Sequence, residues 1–219
     1  MSPGLLDRMQ SYTDKPIKVV PNFFDERIFY VDTNVQKNKV LTWVSIGEPA
    51  HVKGLDILLH ACAGLKNKLS EAPMQLILID QIPEKEELIK LAQSLGIADH
   101  IQWTGLITQS EIAGILRKSH ALISASRVET FGKAIIEAQA CGLPVVATKT
   151  DGADYIVTSS KQGELADIGS PESLMRAMGK LFTGYSTYDP DRIHDIVENR
   201  FSLKAVIHQW IKLYNSVLS

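Results

Sequence analysis

Cysteine is scarce in this chain: Cys62 and Cys141 are the only two in 219 residues, and no CxxC pair occurs. That argues against a disulfide framework or a zinc knuckle and fits a reducing cytosol. Long hydrophobic runs are missing too. No stretch approaches the ~20 apolar residues of a membrane span, and the opening MSPGLLDRMQ has no apolar leader core. Neither charge sign dominates, since 23 basic and 25 acidic side chains leave a formal net charge of -2. Such a balance supplies no general field for nucleic acid or an anionic membrane. The expectation is a cytoplasmic protein without a transmembrane segment or a nucleic-acid partner. Several signatures are also absent: G-x-G-x-x-G, G-x-x-x-x-G-K-[ST] and G-x-S-x-G. The commonest nicotinamide, ATP and hydrolase readings of an α/β chain lose support accordingly.

What is present is an ordinary globular composition, 45% apolar and 22% charged, in one large domain or one domain with appendages. Short apolar runs alternate with helical patterns. Strands are predicted at Val40–Ile46, Gln75–Ile79, Ile101–Trp103, Ala121–Ser124 and Pro144–Thr148. Between them, Leu55–Leu69, a segment from Pro83 to near Gly96, Thr108–Lys118 and Lys133–Cys141 read as helices. Thr108-Gln109-Ser110-Glu111 has capping-box spacing, and Ser170-Pro171-Glu172 opens a further helix. Strands apolar throughout, separated by amphipathic helices, imply a parallel sheet covered on both faces. The expected fold is therefore α/β, a doubly wound Rossmann-like sheet. Its expected boundaries are residues 40–185, with 1–39 before it and C-terminal helices over 186–219. In such sheets the ligand lies beyond the carboxyl ends of the strands. The informative loops are then 47–54, 80–84, 104–108, 124–132 and 149–155.

The segment RVETFGKAIIEAQACGLPVVAT, residues 127–148, stands out. Its helix is apolar or small nearly all round, so it should be buried, yet it carries Glu137. An unpaired buried carboxylate costs several kcal/mol or protonates. Two readings stay open for it: an internal ion pair or solvent exposure, and acceptance of two ligand hydroxyls. Glu129 precedes the helix start, where free N–H groups favour anions, and Gly132 lets a ligand approach closely. The six histidines show no metal-ligand spacing. Only His51, in a strand-exit loop, is left open.

Glu129 and Glu137 enclose seven residues, and this E-x7-E block resembles that of retaining glycosyltransferases of family 4, with the GT-B fold. Further segments resemble the same family in order along the chain: Pro21-Asn22-Phe23-Phe24-Asp25 the interdomain hinge, Lys53-Gly54 the phosphate-binding lysine turn, Gly152-Ala153-Asp154 a Gly-rich stretch, and Ser170-Pro171-Glu172-Ser173-Leu174 a helix start. The resemblance covers about residues 17–218.

It implies the C-terminal, donor-binding half of a GT-B enzyme that transfers a hexosyl group from a nucleotide-diphosphate sugar to a glycan or lipid-linked acceptor, as in polysaccharide biosynthesis. Glu137 would hold the ribose diol and Glu129 the sugar hydroxyls. Gly47, Thr130, Phe131, Gly132 and Lys133 would line the donor, and Lys53 would neutralise diphosphate charge. Glu129 and Lys53 are the implied catalytic pair. No metal and no cofactor are implied, and the nucleotide sugar is a substrate. The resemblance also implies a missing N-terminal acceptor domain, through which alone the protein would touch a membrane. Residues 1–39 would be the remnant of that domain and the hinge. The sequence departs from the family at Gly47-Glu48, where members commonly carry an arginine, and at Asp80-Gln81-Ile82-Pro83, where they have a Gly-Asp-Gly-Pro turn. A non-catalytic nucleotide-sugar-binding or interaction module is the alternative reading.

Overall fold

The computed structural model describes residues 6, 9–15, 17–69 and 73–218. Among them are six strands: β1 Leu41–Ile46, β2 Met74–Ile79, β3 Ile101–Gly105, β4 Ala121–Ser124, β5 Val145–Thr148 and β6 Gly163–Ala166. They form one sheet in the order β3-β2-β1-β4-β5-β6, every pair parallel. That is the doubly wound Rossmann order, whose strand sequence reverses direction between β1 and β4.

The helices are α1 Ala50–Lys53, α2 Leu55–Leu69, α3 Lys85–Ser94, α4 Gln109–Lys118, α5 Lys133–Ala140, α6 Asp151–Ile156, α7 Pro171–Thr183, α8 Pro190–Phe201 and α9 Leu203–Leu218. Their starts follow local chemistry. The Thr108 hydroxyl accepts from the Glu111 N–H at 3.3 Å, and the Glu111 carboxylate accepts from the Thr108 N–H at 2.8 Å, completing the expected capping box. Ser170 caps α7, with Pro171 in its first turn. Asp189 caps α8 by accepting from the N–H groups of Asp191 and Arg192.

Alternate residues of each strand feed two separate hydrophobic layers, as the period of two requires. Trp43, Leu76, Leu78 and Ile123 face the layer shared with α2, α3 and α7. Val44, Ile77, Ile79, Leu122 and Val145 face the layer shared with α4, α5, α6 and α8. Residues 17–39 and the last helices, set apart from the sheet unit in the sequence reading, feed the second layer. Phe24, Phe29, Val197 and Phe201 are all buried there, and the Phe24 N–H donates to the Phe201 carbonyl at 3.2 Å. Beyond Val206, α9 keeps little cover: Ile207, Trp210, Ile211 and Tyr214 form an exposed apolar stripe.

Three elements differ from the sequence expectation, the first being the single turn α1, inside the segment read as the loop 47–54. The strand β6 is only four residues, Gly-Glu-Leu-Ala, too short and mixed to announce itself, and pairing with β5 creates it. The segment read as a loop over 149–155 is mostly helix α6, capped by the Thr150 hydroxyl accepting from the Ala153 N–H.

Candidate active site at the strand reversal

The loops leaving β1 and β4 meet where the strand order reverses. After β1 the chain runs through Gly47, Glu48 and Pro49 into the single turn α1, which ends at Lys53. Gly54 then adopts φ 62°, and a Cβ there would lie 2.1 Å from the Ala125 carbonyl oxygen. No other residue permits that approach of the two loops. A latch fixes it. The Arg127 N–H donates to the Val52 carbonyl at 2.8 Å, and its guanidinium grips both Asp56 oxygens at 2.8 and 2.7 Å while also reaching the His51 carbonyl at 2.7 Å. The hydrogen-bonded guanidinium holds the Asp56 carboxyl below its usual range. Arg127 and Asp56 had no assigned part in the sequence reading; their spacing of 71 residues carries no local signal.

Within this frame Lys53 Nζ lies 2.7 Å from Glu129 Oε2. Both side chains are about four-fifths buried, at 24% and 17% exposed. The other Glu129 oxygen accepts from the Gly132 N–H at 3.0 Å and the Phe131 N–H at 3.4 Å. The carboxylate thus occupies the anion position before α5, where the orphan N–H groups and helix dipole would otherwise face solvent. Gly152 supports the loop from below. Its N–H donates to the Glu129 carbonyl at 3.0 Å, and a Cβ would fall 2.4 Å from the Phe131 carbonyl oxygen. The glycine in Thr-Asp-Gly-Ala-Asp was the available signal for this contact.

Glu137 is 7% exposed within the largely apolar helix α5. Among the described residues it pairs with Lys133, one turn earlier, at 3.5 Å. Burial raises its carboxyl pKa above the ordinary value, and Lys133 only partly opposes the shift. Lys133 is half exposed, so the pair stays open to water on one side. Of the two readings held open from sequence, the internal partner is present but loose, and the carboxylate is buried rather than solvated.

The remaining expected residues fall around this cluster. Gly47 follows β1 directly, with its N–H on the Ile79 carbonyl at 3.1 Å and the Lys53 side chain across it. Thr130 is exposed and lines a cleft of about 150 Å³ with Glu129, Lys149 and Thr150. The Phe131 ring is buried against Phe201 and Tyr155, so only its backbone can meet a ligand. His51 is exposed in a neighbouring cleft of about 170 Å³ with Ala50, Asp56 and Glu84. Glu48 is exposed and makes no hydrogen bond or ion pair among the described residues. Asp80 heads the 80–83 turn at φ 139°, a backbone region that favours glycine.

The site therefore offers a cation, a carboxylate on helix N–H groups, and a second, buried carboxylate within the following helix, beside the crevice that Glu129 lines. Known proteins share this fold. The solved structure of Anabaena HepE in complex with UDP and glucose superposes with a TM-score of 0.77 at 21% identity, over 91% of this chain and 57% of that one. The C-terminal domain of the group 1 glycosyl transferase LpcC from Francisella tularensis matches with a TM-score of 0.70 at 21% identity, over 82% of this chain and 99% of that one. The N-acetyl-alpha-D-glucosaminyl L-malate synthase of Bacillus anthracis is 24% identical over 216 residues, covering 94% of this chain and 55% of the relative. The chain thus spans about half the length of that curated relative. The model of the family "Glycosyl transferases group 1" matches residues 28–199, which hold all six strands and both carboxylates of the site, and the chain belongs to that family.

Proposed function

We propose that this chain is the C-terminal, donor-binding half of a retaining GT-B glycosyltransferase of family 4, transferring a hexosyl group from a nucleotide-diphosphate sugar. The observation that carries the reading is the convergence of Lys53 and Glu129, 76 residues apart, at 2.7 Å on the N-terminus of α5. A diphosphate entering there takes over Lys53 and the N–H groups that Glu129 now satisfies, and releases Glu129 toward the sugar hydroxyls. Lys53 then offsets the charge that grows on the departing diphosphate, electrostatic stabilisation worth several kcal/mol in a dehydrated site. Glu137 accepts both hydroxyls of the ribose. No residue is assigned as a covalent nucleophile, because the donor's own phosphate serves the incoming hydroxyl on the front side.

The UDP complex of Anabaena HepE supports a nucleotide ligand, and the near-complete match to a separately solved C-terminal domain supports the placement. The exposed apolar stripe of α9 supports a second domain, which would hold the glycan or lipid-linked acceptor. A cytoplasmic location and a part in polysaccharide synthesis belong to the same proposal. The exposed Glu48 carboxylate, beside the diphosphate position, favours a second reading, a binding module without turnover.

The test is calorimetric titration of the chain with UDP-sugars. Glu137→Ala is expected to weaken binding at least about tenfold, since two charge-assisted hydrogen bonds are lost. It should leave the melting temperature unchanged or higher. Lower melting with unchanged affinity would make Glu137 structural. Absence of nucleotide binding by the unaltered chain would sink the enzyme reading and leave only an interaction module.

A further inference from the structure

Lys53 is the only lysine or arginine between Gly47 and Gly54, so the cation that the β1 exit brings to the crevice rests on one side chain. It stands at the end of α1, a single turn of four residues with no side-chain cap at its start. One turn fixes several dihedrals for a single hydrogen bond and does not hold itself together in water. What holds α1 therefore comes from outside it. At its start the Ala50 N–H reaches Glu84 Oε2 at 3.4 Å, a long contact. At its end the ties are shorter and come from one residue.

Arg127 takes two consecutive carbonyls of α1. Its N–H donates to Val52 at 2.8 Å and its Nη1 to His51 at 2.7 Å. These carbonyls lie in the last turn, at the negative end of the peptide dipoles, where a cation is favoured. Asp56, in the first turn of α2, holds the same guanidinium by two oxygens at 2.8 and 2.7 Å. A bidentate fork fixes the plane of the guanidinium as well as its distance. Arg127 thus bridges the end of α1 to the start of α2, with Lys53 and Gly54 between them. It also stands two residues before Glu129. The loop that supplies the partner of the Lys53 ammonium also clamps the Lys53 backbone.

We propose that Arg127 is a positioning residue for diphosphate binding: it keeps Lys53 in place when Glu129 is displaced, so the ammonium stays with the phosphate instead of following the carboxylate. This rests on the donor-site reading given above. Without ligand, the ion pair and the clamp both fix the ammonium. Once a diphosphate has taken the place of Glu129, the clamp remains. Less side-chain freedom is then lost on binding, because Lys53 is already ordered. Both terminal nitrogens of Arg127 are engaged by His51 and Asp56, so its effect on the ligand passes through Lys53.

Calorimetric titration with UDP in a double-mutant cycle tests this. Lys53→Met should weaken UDP at least about tenfold, the loss of one charge-assisted hydrogen bond. Arg127→Met should weaken it by a similar factor, and the double variant should lose no more than Lys53→Met alone. Losses that multiply would give Arg127 a role independent of Lys53 and overturn the proposal. Asp56→Asn leaves the backbone tie to Val52 intact and serves if Arg127→Met does not fold. It should weaken UDP about threefold, the scale of one partly exposed ion pair, and have no effect beside Lys53→Met. Unchanged affinity in Asp56→Asn and in a folded Arg127→Met would overturn the proposal too. Amine acetylation without nucleotide, followed by mass spectrometry, separates it from the donor reading. In a Glu129→Gln chain, where only the clamp is left, adding Arg127→Met should speed Lys53 labelling at least about threefold as the turn loosens, and leave Lys204 unchanged. Faster labelling in a chain whose unaltered form binds no UDP would remove the donor reading and keep the hold on Lys53. Unchanged labelling would overturn the hold itself.

Discussion

Lys53 and Glu129 close an ion pair of 2.7 Å between the loops that leave β1 and β4. In the proposed donor site the pair fills the place a ligand anion would take, which would make the carboxylate an internal competitor as well as a partner of the sugar. Its removal should therefore favour two ligands unequally.

Glu129→Gln keeps the shape and deletes the competing charge. A bare nucleoside diphosphate should bind more tightly by about 1 kcal/mol, the scale of one partly screened charge at close range. A nucleotide sugar should gain less, because it loses a charged acceptor for its hydroxyls. The ratio of the two affinities, measured by calorimetry, checks this; an equal gain for both would detach Glu129 from the sugar.

Glu137 should set a pH dependence. Its pKa is raised in the fold by burial, so between the ordinary glutamate value near 4.5 and that raised value the folded state binds more protons than the unfolded one. Stability from this group is present in acid and falls as pH rises through the folded pKa. Glu137→Gln should therefore stabilise the domain at neutral pH, with the gain shrinking toward pH 4. Urea midpoints across that range are the measurement, and a gain that grew toward acid would contradict the sign.

Glu48 is exposed beside the crevice. Glu48→Arg should tighten nucleoside diphosphate binding by about 1 kcal/mol at low salt, and the gain should shrink as salt rises. Affinity independent of both the substitution and the salt would direct this side chain away from the donor.

Asp80 holds φ 139°, and its carboxylate accepts from the Gln81 N–H at 2.7 Å. Glycine relieves roughly 1–3 kcal/mol of backbone strain there and returns roughly 0.5–1 kcal/mol as chain entropy. Asp80→Gly should raise stability by about 1 kcal/mol, or the melting temperature by about 2–4 °C for a chain of this size. Scanning calorimetry decides it, and a lower melting temperature would show that the Gln81 hydrogen bond outweighs the strain.

Five of the six strands, two capped helices and the loops that carry the site were legible in the sequence, because each rests on a local rule: apolar runs for strands buried on both faces, cap residues for α4 and α7, and strand exits for the crevice. The sequence also placed Glu129 before a helix start and Glu137 inside an apolar helix. Only the tertiary structure decided that Lys53 pairs with Glu129 and that Arg127 latches onto Asp56. These partners lie some 70 or more residues apart, and no local propensity encodes which distant charge will be brought near. It also decided β6 and α6, whose short sequences acquire their conformation from pairing with β5 and from the close approach of Gly152 to Phe131.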